Sequence, residues 1–96
     1  MSVDVDDWDA QMEVTALGTL NVFRAAQEAG VGQVVFTSSG STMCGWEWDD
    51  SLPYGRLARG EWDGLTEWPL LDTRTPPRPD SPYAVAKLFG EHVGRF

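Results

Sequence analysis

The sequence predicts an α/β fold built on a doubly wound parallel sheet, and three observations carry that expectation. Residues 9–30 show helical periodicity. The short link Val31-Gly32 leads from them into the continuous apolar run Val34-Val35-Phe36. A second amphipathic stretch occupies residues 81–96. A helix, a tight link and a strand buried on both faces make half of a βαβ unit, whose opening strand has no counterpart in these 96 residues.

In the first helix, Trp8, Met12, Ala16, Leu20, Phe23 and Ala26 recur in steps of three and four, which places them on one stripe. Asp6, Asp7 and Asp9 bring negative charge to its N-terminus, and Gly30 suits the left-handed position beyond its end. Gly18 weakens the helix interior by about 1 kcal/mol relative to alanine, which points to close approach of a backbone or ligand. Residues 33–38 are predicted as a strand, since a β-branched apolar run bounded by glycines suits a sheet covered by helices on both sides.

Residues 40–80 lack any sustained period. Gly40, Gly45, Gly55, Gly60 and Gly64 and then Pro69, Pro76, Pro77 and Pro79 punctuate them as an insertion or loop. Trp46, Trp48, Trp62 and Trp68 also lie there. They favour a partly ordered insertion with a tryptophan cluster packed on the body over a stacking platform for a ligand. The last helix opens on Ser81 as cap and Pro82 in the first turn. Val85, Phe89, Val93 and Phe96 form its apolar stripe, with His92 packed between those positions. Tyr83 and Lys87, four apart, share a different face.

Composition narrows the function. Fifteen acidic against seven basic residues leave a formal charge of −8, which repels phosphate backbones and anionic lipid and argues against nucleic-acid or membrane partners. The single cysteine, Cys44, forms no internal disulfide, and the acidic start is unlike a signal peptide, so a cytoplasmic location is expected. No metal site is expected, because Asp49 and Asp50 alone do not amount to one. Cys44 and His92 lack the third, orienting group of a nucleophile–base pair.

The chemistry-bearing pair is Tyr83 and Lys87, the latter the only lysine in the chain. A phenol is a poor base at neutral pH, and an ammonium one helical turn away favours the phenolate by charge attraction. Thr37, Ser38 and Ser39, at the end of the predicted strand, offer hydroxyls at the sheet edge where ligands of open α/β folds bind. Together they could deprotonate an alcohol or protonate a carbonyl.

The ordered set Gly18-Thr19-Leu20-Asn21-Val22, Ala29-Gly30-Val31, Val34-Val35-Phe36-Thr37-Ser38-Ser39 and Ser81-Pro82-Tyr83-Ala84-Val85-Ala86-Lys87-Leu88-Phe89-Gly90-Glu91 resembles the extended short-chain dehydrogenase/reductase family, the NAD-dependent epimerase/dehydratase group. The resemblance implies a Rossmann-like domain binding NAD or NADP. Tyr83 would be the acid/base, and Lys87 would tune it and hold the nicotinamide ribose. Ser39 would hydrogen-bond the reacting oxygen, and Thr37 and Ser38 would line the nicotinamide pocket. The substrate would meet Ser39, Gly40 and Ser41. It would be a nucleotide sugar or similar hydroxyl or carbonyl compound, undergoing epimerisation, dehydration or reduction, and the parent enzyme could be a homodimer.

Three departures qualify the likeness. Thr15 stands where the family carries asparagine, and Cys44 precedes Gly45 where it carries tyrosine. Counted back from Gly45, the hydroxyl register falls on Gly40, which leaves Ser41 as second choice after Ser39. The family's GxxGxxG turn does not occur, so the chain reads as an internal fragment, residues 1–96 of a domain lacking its glycine-rich half, from a protein about three times as long. On its own it is expected to be inactive and to bind NAD(P) weakly. The competing expectations are a non-catalytic NAD(P) sensor module and an inactive truncated product.

Overall fold

A computed structural model of the chain describes residues 4–67 and 70–96. Among these residues, besides two short 3-10 turns, lie three helices: α1 over residues 8–28, α2 over Pro53–Ala58 and α3 over Pro82–Arg95. α1 is continuous but not uniform. An α-helical turn at Trp8–Ala10 passes into a π-helical stretch at Gln11–Leu17 and then into α-helix at Gly18–Glu28. The Asp7 carboxylate caps it by accepting the Ala10 N–H at 3.0 Å. Its end is set by Gly30, whose φ of 71° lets the chain reverse so that the Val31 N–H donates to the Ala26 carbonyl at 3.0 Å.

The π-helical stretch alters which face is buried. Ala16 is buried and Leu20, Phe23 and Ala26 are half-buried, but Trp8 and Met12, expected on the same stripe, are exposed. The polar Gln11 is sealed in their place, at 1% exposure. A π turn closes hydrogen bonds one residue further along than an α turn, so a stripe drawn at 3.6 residues per turn loses phase through it. Gln11 is satisfied at both ends: its Nε2 donates to the Asp4 carbonyl at 2.8 Å, and its Oε1 accepts the Thr15 hydroxyl at 2.6 Å.

Ser81, in extended conformation, caps α3 by accepting the Ala84 N–H at 3.1 Å, with Pro82 in the first turn. The buried face of α3 is not the stripe of large side chains. Ala84, Ala86 and Gly90 are buried, Val85 and Val93 are half-buried, and Phe89, Phe96 and His92 are exposed. At the C-terminal half of the helix an aromatic ring from elsewhere takes the space a side chain would need. A Cβ on Gly90 would collide with the Phe36 ring, and one on Gly94 would lie 3.3 Å from Phe23. Those two rings pack at 6.1 Å between centroids, tilted by 52°.

Residues 33–38, the predicted strand, lie against α3, and no β-ladder forms among the described residues. A strand takes its hydrogen bonds from a neighbouring strand, and none of the described residues forms one beside this segment. For the same reason Val35, expected to be covered on both faces, is 84% exposed, and Val34 is exposed as well.

The 40–80 stretch is folded at its ends. It has 3-10 turns at Gly40–Thr42 and Cys44–Trp48, followed by α2. Its two ends are clasped by three backbone bonds: Gly45 N–H to the Arg78 carbonyl (2.7 Å), Arg78 N–H to Thr42 (2.9 Å) and Asp80 N–H to Ser41 (3.3 Å). Gly45 is required there, because a Cβ would sit 2.5 Å from the Arg78 carbonyl oxygen. Trp46 packs inside the clasp. Its indole N–H donates to the Pro76 carbonyl at 3.1 Å, the Arg78 guanidinium lies 5.1 Å over its ring, and Tyr54 is 6.1 Å away. The expected cluster of four tryptophans is not what forms: Trp48 and Trp62 are exposed, and Trp68 and Pro69 fall outside the described residues.

Asp49 ties this cluster to pH. The Ser51 hydroxyl and then the Arg78 guanidinium at 3.1 Å hold its carboxyl below the usual carboxylate range. A group lowered on folding stabilises the folded state above its unfolded pKa, about 3.9, and loses that contribution as pH falls through the lower folded value. The Trp46 indole N–H resonance is therefore expected to hold steady from neutrality to about pH 4 and to shift only below it. A shift centred above about pH 5 would contradict the Asp49–Arg78–Trp46 linkage.

Candidate active site

α3 places Tyr83 and Lys87 one turn apart, and the structure brings Lys87 to the end of the 33–38 segment. The Lys87 ammonium lies 5.8 Å from the Tyr83 ring centroid and 4.9 Å from that of Phe36. It donates to the Thr37 carbonyl at 3.0 Å. One cation therefore bridges the phenol-bearing helix and the segment carrying the hydroxyls. The start of α3 is also tethered to the N-terminal segment, through the Tyr83 N–H to the Val5 carbonyl at 3.1 Å.

The three consecutive hydroxyls have different surroundings. Thr37 is exposed and offers its carbonyl to Lys87. Ser38 is half-buried, and its hydroxyl donates to Glu91 at 2.5 Å. Ser39, in extended conformation, caps the Gly40–Thr42 turn by accepting the Ser41 N–H at 3.2 Å. Gly40 and Ser41 form the start of that turn, and the Ser41 carbonyl accepts from Asp80, next to the cap of α3. The Asp80 Oδ1 is buried without a partner among the described residues.

A cavity of about 450 Å³ opens beside Lys87, bounded by Thr15, Gly18, Thr19, Phe23 and Phe36 among others. A Cβ on Gly18 would meet nothing within 4 Å, so this glycine borders open space rather than a packed backbone. Thr15, at the family's asparagine position, is engaged within α1: its hydroxyl donates to Gln11 and its carbonyl accepts the Thr19 hydroxyl at 2.6 Å. Burial, and then the charges of Glu47 and Asp80, push the Cys44 thiol upward in pKa, which disfavours the thiolate a nucleophile needs. Its Sγ lies 3.3 Å from the Gly40 carbonyl as donor. Among the described residues no group of three or more histidine, cysteine or acidic side chains could hold a metal ion.

Sequence reasoning assigned no part to Gln11, Asp80 or Glu91. Glu91 had a usable signal, since it follows Lys87 by four and so lies on the same side of α3.

The profile of the NAD-dependent epimerase/dehydratase family matches residues 2–95. The chain belongs to that family. Among curated relatives it is 36% identical over 90 residues to the L-arabinose 1-dehydrogenase (NAD(P)(+)) of Haloferax volcanii, covering 93% of this chain and 32% of the relative. It is 32% identical over 89 residues to the NAD-dependent glucose-6-phosphate dehydrogenase of the same organism, covering 93% and 31%. A uronate dehydrogenase of Pseudomonas putida is 29% identical over 79 residues, covering 82% and 22%. The chain thus spans about a third of the length of the two Haloferax relatives. No solved structure matches it. The epimerase/dehydratase family is NAD-dependent, and these relatives are dehydrogenases named for sugar substrates. Among the described residues of this member, no helix is long and apolar enough to cross a membrane.

Proposed function

We propose that this chain carries the acid/base centre of an NAD(P)-dependent dehydrogenase that oxidises a hydroxyl of a sugar. The observation that supports it most is the position of Lys87, whose ammonium lies beside the Tyr83 ring while bonded to the Thr37 carbonyl. In this reading residues 33–38 are an inner strand of a parallel, Rossmann-like sheet, and Val34 and Val35 are covered in the whole protein.

The donor set fits a nicotinamide nucleotide. An ammonium has three N–H groups, one of which is spent on Thr37, and the other two suit the adjacent hydroxyls of a ribose. When bound, NAD(P)+ supplies the hydride acceptor. Tyr83 takes the proton of the sugar hydroxyl as its carbon is oxidised, and the Ser39 hydroxyl donates a hydrogen bond to that oxygen. Lys87 keeps positive charge beside the phenolate form of Tyr83. The same residues could serve epimerisation or dehydration of a nucleotide sugar. Dehydrogenation is preferred because the relatives that cover most of this chain are sugar dehydrogenases.

The whole protein, assayed with NAD+ and with NADP+ against L-arabinose, glucose 6-phosphate and glucuronate, is expected to accumulate reduced nicotinamide with at least one of them. Conversion of UDP-glucose to its epimer without net cofactor reduction would replace dehydrogenation by epimerisation. Calorimetric binding of NAD+ without turnover of any of these would favour a sensor and overturn the proposal.

A further inference from the structure

We propose that Glu91 is a positioning residue of this site, which binds the Ser38 hydroxyl and thereby leaves Ser39 as the hydroxyl presented to substrate. The proposal deepens the functional reading above and rests on it for its catalytic consequence.

Three consecutive residues of the 33–38 segment and its end meet one side of α3. The Phe36 ring lies against Gly90, the Thr37 carbonyl accepts from Lys87, and the Ser38 hydroxyl donates to Glu91 across 53 positions of sequence. Phe36 and Ser38 both point at the helix, as residues two apart do in an extended chain. Ser39, next in line, turns the other way, and its oxygen meets the Gly40–Thr42 turn rather than α3. A shift of register by one residue would exchange the two serines. The bond to a carboxylate makes that shift costly, because such bonds are stronger than neutral ones and their loss would leave a half-buried hydroxyl unpaired.

Glu91 also stands four residues after Lys87, the spacing at which opposite charges pair on a helix. The two form no ion pair, since Glu91 is engaged by Ser38 and Lys87 by Thr37. Holding the carboxylate on Ser38 therefore keeps the ammonium available to Tyr83 and to the cofactor ribose.

The test compares Glu91→Ala, Glu91→Gln and Ser38→Ala in the whole protein by amide hydrogen exchange at residues 41–43, whose N–H groups bond back to Ser39 and Gly40, and by steady-state kinetics with NAD+ and whichever sugar it oxidises. Glu91→Ala and Ser38→Ala are each expected to speed exchange at the Ser41 and Thr42 amides, which are bonded to the Ser39 hydroxyl and carbonyl, about ten- to a hundredfold, the factor a hydrogen bond to a charged group contributes. Glu91→Gln, whose amide oxygen still accepts, should retain most of the protection. In kinetics, Glu91→Ala should lower kcat more than it raises the KM for NAD+, and the Glu91→Ala/Ser38→Ala double variant should be no worse than either single one. Unchanged exchange in Glu91→Ala, or single effects that multiply in the double variant, would overturn the proposal. Exchange is read whether or not a sugar is turned over, so failure of the clamp and failure of the dehydrogenase reading are separable.

Discussion

Replacing Tyr83 by phenylalanine is expected to lower kcat of the whole enzyme by about 10²- to 10⁴-fold, the contribution of a positioned general acid/base. The change deletes one oxygen and keeps the ring, so the packing beside Lys87, whose ammonium lies 5.8 Å from the ring centroid, survives. The Tyr83 N–H bond to Val5 is a backbone contact and survives as well. The KM for NAD+ should therefore change far less than kcat, and the melting temperature should stay close to that of the wild type. Turnover within about threefold of wild type would remove Tyr83 from proton transfer. It would leave Lys87 and Ser39 without the group they are proposed to serve.

Gly90→Val is expected to cost about 1–3 kcal/mol of stability, the usual range for overpacking, and to lower activity beyond what instability explains. The added side chain would run into the Phe36 ring, which is already pressed between α3 and Phe23. Phe36 adjoins Thr37 and Ser38, so pushing it away from α3 pulls on the Lys87–Thr37 and Ser38–Glu91 bonds together. Denaturant unfolding measures the stability loss, and kcat of the folded variant measures the site. Gly94→Ala is the milder companion, because its new Cβ would lie 3.3 Å from Phe23, a contact that needs only a few tenths of an ångström of adjustment. A Gly90→Val protein as stable and active as wild type would mean that the α3–Phe36 contact does not hold the site.

Much of the local structure is legible along the chain. Asp7, Gly30, Ser81 and Pro82 mark helix ends through their own chemistry, and that chemistry acts within a few residues. The spacing of Tyr83 and Lys87 places them together without any knowledge of the rest of the fold. The apolar stripes misled for two separate reasons. In α1 the π-helical stretch breaks the period on which a stripe depends, so Gln11 is inside and Met12 outside. In α3 the inner face belongs to Ala84, Ala86 and Gly90, and at Gly90 the Phe36 ring supplies the bulk while the helix supplies the room. Which side of an interface carries the large residues is a property of the pair of surfaces, not of either one.

Short-range chemistry, then, settles helix termini, turn glycines and the phenol–ammonium pair, because each needs neighbours only three or four positions away. The partner of Ser38, the carbonyl that receives Lys87 and the clasp between Gly45 and Arg78 join residues 53, 50 and 33 positions apart in the chain. Such contacts exist only once the chain has packed, since loop closure brings together groups whose chemistry, taken singly, favours no particular partner.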